Sequence, residues 1–374
     1  MKRKVLFVSC GGFGNGGVQA VIMSIVRNMS DDYVFDIIIF TDETIERDNY
    51  YINEFTKYGG HVFRIPRYNG TSSFRNRSEF YYRGIKYLKS ADSIMEEYGP
   101  YSVIHCHAAY ESAYFLSVAA KRNIPVRISH IHIIDDSRIN PIRYLLHRLL
   151  LRIIKKNATA LIGCSEEACS LFYKTDEYQV VPNPYNEKIY YLNTDNLKEQ
   201  INQLKIVQVG EFSDNKNQLF SLKVFLEIRN RGIDAYMDFI GFIGTEDYLK
   251  KMELFIENNN LSKYVRILPS NTNIAKVYDT ASYSMVPSLH EGFGIVIVEA
   301  QASGIKCFVS DTIPRSTDCG GCVYLPLSLG YKKWAEVIIN DFKKYDGKKH
   351  YDCSRYQTTK VIKLYRQLYD ETNI

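Results

Sequence analysis

Apolar residues along this chain come in short, dense runs, separated by stretches whose apolar positions recur at helical spacing. KVLFVSC (4–10), FDIIIF (35–40), HVFRIP (61–66), SVIHCH (102–107), VRISHIH (126–132) and ATALIGCS (158–165) are rich in Val and Ile. They are apolar on both faces, as parallel strands covered by helices must be. Amphipathic segments at 18–29, 77–98, 110–122 and 139–156 lie between them. The alternation predicts βαβ units and an open, doubly wound sheet.

The alternation stops at VVPNPYNEKIYYLNTDNLKEQINQ (180–203), which has two prolines, five asparagines and no period. That stretch reads as a linker. A second series follows: KIVQVG (205–210), AYMDFIG (235–241), VRILP (265–269), SYSMVPS (282–288), IKCFVS (305–310) and CVYLPL (322–327). The fold expected is α/β, with two Rossmann-like domains whose parallel sheets face a central ligand cleft. The boundaries expected are 1–185 for the first domain, 186–204 for the linker and 205–355 for the second domain. A C-terminal helix at 356–374, from TTKVIKLYRQLYDET, is placed to pack back on the first domain.

Composition narrows the class. With 45% hydrophobic and 24% charged residues among 374, the chain has the balance of a soluble globular protein. MKRKVLFVSC runs into glycines too early for a signal peptide, and no run approaches the roughly 18 to 20 apolar residues of a membrane span. A cytoplasmic protein is expected, with peripheral contact at the inner face of the membrane left open. Eight scattered cysteines are then reduced thiols. CGGC (319–322) reads as structural or as a redox or metal pair, but no second pair completes a zinc site. A net charge of +5 gives no reason to expect nucleic acid.

Chemistry concentrates in the loops of the second series. In LHEGFGIVIVEAQASG (289–304), Glu291 and Glu299 bracket an apolar run, and Gly292 and Gly294 follow the first acid. The segment starts at the C-terminal end of a buried strand, where open α/β sheets bind ligands. The glycines let backbone approach a ligand, and the free N–H groups of the next helix suit a phosphate. Glu299 would repel phosphate, but it is suited to accept from a pair of ribose hydroxyls; Glu291 is suited to hydroxyls further along the ligand. VGEFSDNKNQ (209–218) ends the first strand of the same domain and supplies Lys216 as a cation for a diphosphate.

These motifs resemble the family 4 glycosyltransferases, retaining enzymes of GT-B fold, and within them the bacterial capsule and exopolysaccharide transferases. The likeness extends to GGVQAVIMSIVRNM, VRISHIH, NPIRYLLHRLLLRIIKKNATALIGCSEEA and VGEFSDNKN, and so covers nearly the whole chain. It implies that Glu299 holds the donor ribose and that Phe293 and Gly294 offer backbone to the diphosphate. It further implies that Glu291 touches the transferred sugar and that Lys216 is the phosphate lysine. Where many members carry arginine after the strand-ending Val-Gly, this chain has Glu211. The implied reaction moves a sugar from a nucleotide-diphosphate sugar, by family habit a UDP-sugar, to a glycan or lipid-linked glycan with retention. No metal or other cofactor is expected, and no Asp-x-Asp occurs in the chain.

The first domain offers further candidates. His105 with His107 and His130 with His132 end two predicted strands, and alternate strand residues share a face. By resemblance His132, rather than His130, lies beside the reacting sugar; metal ligation and plain buried hydrogen bonding are the competing readings. GGFGNGG (11–17) matches G-x-G-x-x-G at Gly12, Gly14 and Gly17, with Asp42 after the next strand. Alone it would support an NAD(P)-dependent oxidoreductase. In the family reading Gly16 and Gly17 bring backbone close to acceptor or donor phosphate, with His107 and His130 on the acceptor side. A third reading is a nucleotide-sugar-binding protein that turns over weakly.

Two segments suit an anionic membrane surface. RINPIRYLLHRLLLRIIKK (138–156) interleaves basic and aliphatic residues, and RYNGTSSFRNRSEFYYRGIKYLK (67–89) interleaves tyrosine and arginine. The tyrosines equally suit sugar stacking. A crossover helix and a solvated helix with a tyrosine packing face are the plainer alternatives.

Overall fold

The computed structural model describes residues 2–9, 11–41, 49–66, 77–132, 141–193 and 203–370, with backbone only at 77–83 and 141–143. Asp42, Cys10 and residues 67–76 of the tyrosine-rich segment lie outside the described residues. The chain divides into two compact units, one of Met1–Pro184 with Thr359–Ile374 and one of Tyr185–Thr358.

The first unit runs β1 (Arg3–Val8), α1 (Gly17–Met29), β2 (Tyr33–Phe40), α2 (Ile52–Lys57), β3 (Val62–Ile65), α3 (Arg77–Tyr98), β4 (Val103–Cys106), α4 (Ser112–Lys121), β5 (Val126–Ile131), α5 (Pro141–Asn157), β6 (Ala160–Gly163), α6 (Glu166–Tyr173) and β7 (Gln179–Val180). Its seven strands are all parallel, in the order β3-β2-β1-β4-β5-β6-β7. The Val- and Ile-rich runs form the strands, and the central ones are buried on both faces, β4 with no exposed residue, while β3 at the edge exposes Arg64. One acid interrupts them. Burial would raise the Asp36 carboxyl, but the His61 backbone N–H, Tyr101, Lys4 and the His61 ring all bond to it and hold it below the usual range.

The second unit runs β8 (Leu204–Val209), α7 (Gln218–Asn230), β9 (Ala235–Gly241), α8 (Glu246–Asn258), β10 (Val265–Pro269), α9 (Ile274–Thr280), β11 (Tyr283–Val286), α10 (Ile295–Ala302), β12 (Lys306–Ser310), β13 (Cys322–Leu325) and α11 (Gly330–Phe342). Its parallel sheet has the order β10-β9-β8-β11-β12-β13. Strand order reverses between β1 and β4 in the first sheet and between β8 and β11 in the second. Those two points are where doubly wound sheets place ligands.

The last helix, α12 (Thr358–Asp370), belongs to the first unit. Val361, Ile362, Tyr365, Leu368 and Tyr369 enter the core formed by β1, β2, α1 and β4. Around that core Arg3 pairs with Asp370, and Arg366 with Asp32. Among the described residues no helix is long and apolar enough to cross a membrane.

Candidate functional site

At the reversal point of the second sheet, the loop after β8 and the loop after β11 are bonded to each other. Leu289 N–H donates to the Asn215 carbonyl (2.8 Å), and Asn215 Nδ2 donates to the His290 carbonyl (3.0 Å). His290 N–H donates to Asn215 Oδ1 (3.1 Å), and Asn217 Nδ2 to the Pro287 carbonyl (3.1 Å). From the far side, Ser310 Oγ and Thr312 Oγ1 donate to the Ser288 carbonyl at 2.6 and 2.9 Å. The sequence signal for this lacing is the Asn-rich SDNKNQ, whose side chains are short enough to bond backbone locally.

This lacing brings Lys216 and Glu291 together. Lys216 Nζ donates to Glu291 Oε1 at 2.5 Å, and Ser288 Oγ donates to the same oxygen at 2.9 Å. The Glu291 side chain is 8% exposed and that of Lys216 24%. Sequence reasoning gave each a separate ligand group; in the structure each is first the other's partner. A Cβ at Gly210 would touch the lysine stem only at van der Waals distance, 3.5 Å from Cγ and Cδ, and it is the φ of 151° that favours glycine there. Glu211, in the place of the arginine many members carry, accepts from Gln218 Nε2 through its carbonyl at 2.8 Å.

Gly294 caps α10 in the left-handed region (φ 84°, ψ 56°), which a side chain rarely adopts. The turn aims the unbonded N–H groups of the first helical turn out of the loop. Phe293 anchors it, 3% exposed and edge-on to Tyr356 at 5.4 Å. Gly292 lies in the same turn.

Glu299 stands about a turn into α10. The residue is half-buried, and desolvation pushes its carboxyl up to about 8. Among the described residues its carboxyl makes no hydrogen bond, whereas the nearby Gln301 makes four. Gln301 Nε2 donates to the carbonyls of Ile297 and Thr317, and its Oε1 accepts from Cys319 N–H and Gly321 N–H.

Those last two bonds hold the CGGC turn in place. Gln301 clamps the turn, Gly320 takes φ 97°, and a Cβ on Gly321 would meet the Tyr351 ring at 2.9 Å. The thiols are not a mutual pair: Cys322 lies beside Cys307 of the neighbouring strand, and Cys319 beside Cys353.

In the first unit the two histidine pairs form one stack at the ends of β4 and β5. Ring centroids are 4.3 Å apart for His105–His107, 4.0 Å for His130–His132 and 5.1 Å for His107–His132. His107 Nδ1 bonds His132 Nε2 (2.8 Å), and His105 Nε2 bonds His130 Nδ1 (3.1 Å). His105 Nδ1 bonds the Tyr369 hydroxyl of α12 at 2.8 Å. Burial keeps all four neutral. It holds His105, His107 and His130 well below the ordinary histidine range and His132 down at about 4, where the neighbouring Asn183 side chain opposes it. Nε2 of His107 and of His130 has no partner. One ligand atom from each of His105, His107 and His130 lies within 4.8 Å of the others, so the cluster has metal-ligating composition. Two of those ligands are already bonded to each other.

The glycine loop after β1 does not have dinucleotide-fingerprint geometry. Phe13, at the second position of the motif, is fully buried in the core. The third glycine of such a motif permits close helix–strand packing, yet a Cβ on Gly17 would meet nothing within 4 Å. That open space leaves backbone at Gly17 accessible. At Gly16 a Cβ would meet only the end of the Gln19 side chain, at 2.5 Å.

The family model for Glycosyl transferases group 1 matches residues 193–317, which span the loop pair, α10 and Glu299. EpsF of Bacillus subtilis (strain 168), named as a glycosyltransferase, is 26% identical over 353 residues, covering 90% of this chain and 87% of that protein. The capsular polysaccharide biosynthesis glycosyltransferase CapH of Staphylococcus aureus is 28% identical over 250 residues, covering 63% of this chain and 67% of that one. Among solved structures, Anabaena Alr3699/HepE in complex with UDP and glucose superposes with a TM-score of 0.71 at 15% identity, covering 98% of both chains. With two doubly wound parallel sheets and a loop pair of this composition at the reversal point of the second, the chain has the GT-B fold and is a glycosyltransferase, similar to the capsular polysaccharide transferase CapH.

Proposed function

We propose that the chain transfers a sugar from a UDP-sugar to a glycan or lipid-linked glycan with retention of anomeric configuration. The observation that carries the donor assignment is the Glu299 carboxyl. Among the described residues it has no hydrogen-bond partner, its half-buried setting raises its pKa, and it lies about a turn from the free N–H end of α10. A partly desolvated carboxyl with no protein partner is suited to accept from a pair of vicinal ribose hydroxyls. The diphosphate then lies against the N-terminus of α10 and Lys216. That lysine is shared with Glu291, so donor phosphate loosens the 2.5 Å pair and frees Glu291 for the sugar hydroxyls. The UDP and glucose bound by the Anabaena protein support the base and donor class. The name of CapH supports a growing polysaccharide as acceptor.

In the reaction the bond from the anomeric carbon to the leaving diphosphate breaks as the acceptor oxygen bonds to that carbon from the same face. The acceptor proton passes to the leaving phosphate oxygen. Lys216 and the helix N-terminus stabilise the charge that develops there, without a metal. His132, neutral at pH 7, gives the transferred sugar a hydrogen-bond partner, with His107 fixing its ring. Gly16, Gly17 and His130 lie on the acceptor side in this reading.

The test is thermal unfolding in EDTA with UDP, GDP, ADP, NAD and NADP, for the native protein and Glu299→Ala. Stabilisation by UDP that the substitution abolishes is the expected result. Stabilisation by NAD alone, unchanged in the variant, would refute the reading in favour of the oxidoreductase.

A further inference from the structure

We propose that the outward face of α5 seats on a bilayer surface bearing anionic lipids. The helix buries Leu150, Leu151 and Ile154 and turns Leu145, Leu149 and Ile153 outward, 60%, 47% and 37% exposed. These three recur every four residues and form one row; Arg148, Arg152 and Lys156 form a second row beside it. Lys155 adds a fourth exposed cation, and the segment 141–157 contains no Asp or Glu. Among the described residues, none of these four cations has an acidic partner. Several arginines elsewhere on the surface do: Arg27 bonds Glu54, Arg122 bonds Asp92 and Glu96, and Arg231 bonds Glu227. The surface extends to α6, where Leu171 is 64% exposed and the Lys174 ammonium lies 5.2 Å from the centroid of the Tyr144 ring.

Charge selects the occupant. A second copy of the chain would set cations against cations, and nucleic acid would use the basic row but leave the aliphatic row in water. An acidic bilayer surface takes both rows: the leucines enter the headgroup boundary while the basic stems snorkel to the phosphates. The inference goes beyond the transferase reading and stands on the helix face alone, so its failure would leave the donor site untouched.

The experiment is co-sedimentation of the full chain at physiological salt with vesicles of phosphatidylcholine, alone or with about one third phosphatidylglycerol. Binding is expected to the mixed vesicles and at least about tenfold weaker to phosphatidylcholine alone. Arg148→Gln with Arg152→Gln should weaken binding roughly 25-fold, about fivefold per charge. Leu145→Gln with Leu149→Gln should weaken it more than tenfold in the same assay. All four positions face solvent and glutamine is a good helix former, so circular dichroism and thermal unfolding should not change. Lack of binding to acidic vesicles, equal binding to both compositions, or full binding by both variants would each overturn the proposal.

Discussion

Replacing Glu299 by Gln removes an ionisable group whose folded and unfolded states hold their protons differently. An ordinary glutamate titrates near 4.5, whereas the half-buried carboxyl of Glu299 is raised to about 8. Between those values the unfolded chain has released the proton and the folded chain keeps it. The unfolded state therefore binds fewer protons, and native stability falls as pH rises through this window. At about 1.4 kcal/mol per pH unit across that window the ceiling is roughly 5 kcal/mol, and solvent screening of the half-buried side chain lowers it to about 3 kcal/mol. Glu299→Gln escapes that loss. Its Tm should match the native protein near pH 4.5 and exceed it at pH 8.5 by roughly 6–12 °C, for a unit of this size.

The same proton reports on the ligand. Ribose hydroxyls favour the ionised carboxylate, so UDP binding at pH 7 should release about 0.9 proton, seen by calorimetry in buffers of differing ionisation enthalpy. Native affinity for UDP should rise about eightfold from pH 7 to pH 8.5, while that of Glu299→Gln stays level. The diphosphate's own titration is common to both proteins and cancels in the comparison. Stability curves that run parallel, with no excess proton release in the native protein, would refute the burial argument and the ribose assignment together.

Lys216→Ala leaves the Glu291 carboxylate, 8% exposed, without its cation, and removes the charge proposed to face the leaving phosphate. Turnover should fall roughly 10²- to 10³-fold in a sugar-transfer assay, with stability lowered by about 2 kcal/mol. Gly294→Ala forces a side chain into φ 84° and sets its Cβ 3.1 Å from Ile297 Cδ1; UDP affinity should drop at least about tenfold while the unit loses about 1–2 kcal/mol in urea unfolding. Tyr369→Phe removes the hydroxyl bonded to His105 Nδ1. It should cost about 1 kcal/mol in the unfolding of the first unit without changing UDP affinity.

Strands were legible because a parallel strand covered on both faces must be apolar at successive positions, a signal that does not depend on partners. VRILP and AYMDFIG are strands over the same residues that their pattern marks. β7 was not legible: two residues at a sheet edge, followed by Pro182 and Pro184, carry no period. The periodicity of α12 marks a helix, but an amphipathic stripe carries no address, and only contacts show its tyrosines in the first core. At the site, spacing placed Glu291, Gly294 and Lys216 on the two loops that meet and Glu299 in the helix that follows. The Lys216–Glu291 pairing could not be read, since it depends on asparagine side chains lacing loops 75 residues apart in sequence.

The first core is completed by residues that come after the whole second unit in the chain. During synthesis the second unit, a continuous stretch from Tyr185 to Thr358, can finish folding on its own. The first must wait with β1, β2 and α1 lacking the cover of Tyr365, Leu368 and Tyr369. The early half of the polypeptide is therefore the one whose apolar core stays uncovered longest. A stop codon or a bulky fusion placed within 358–370 would act on the strands made first, not on the unit beside it in sequence.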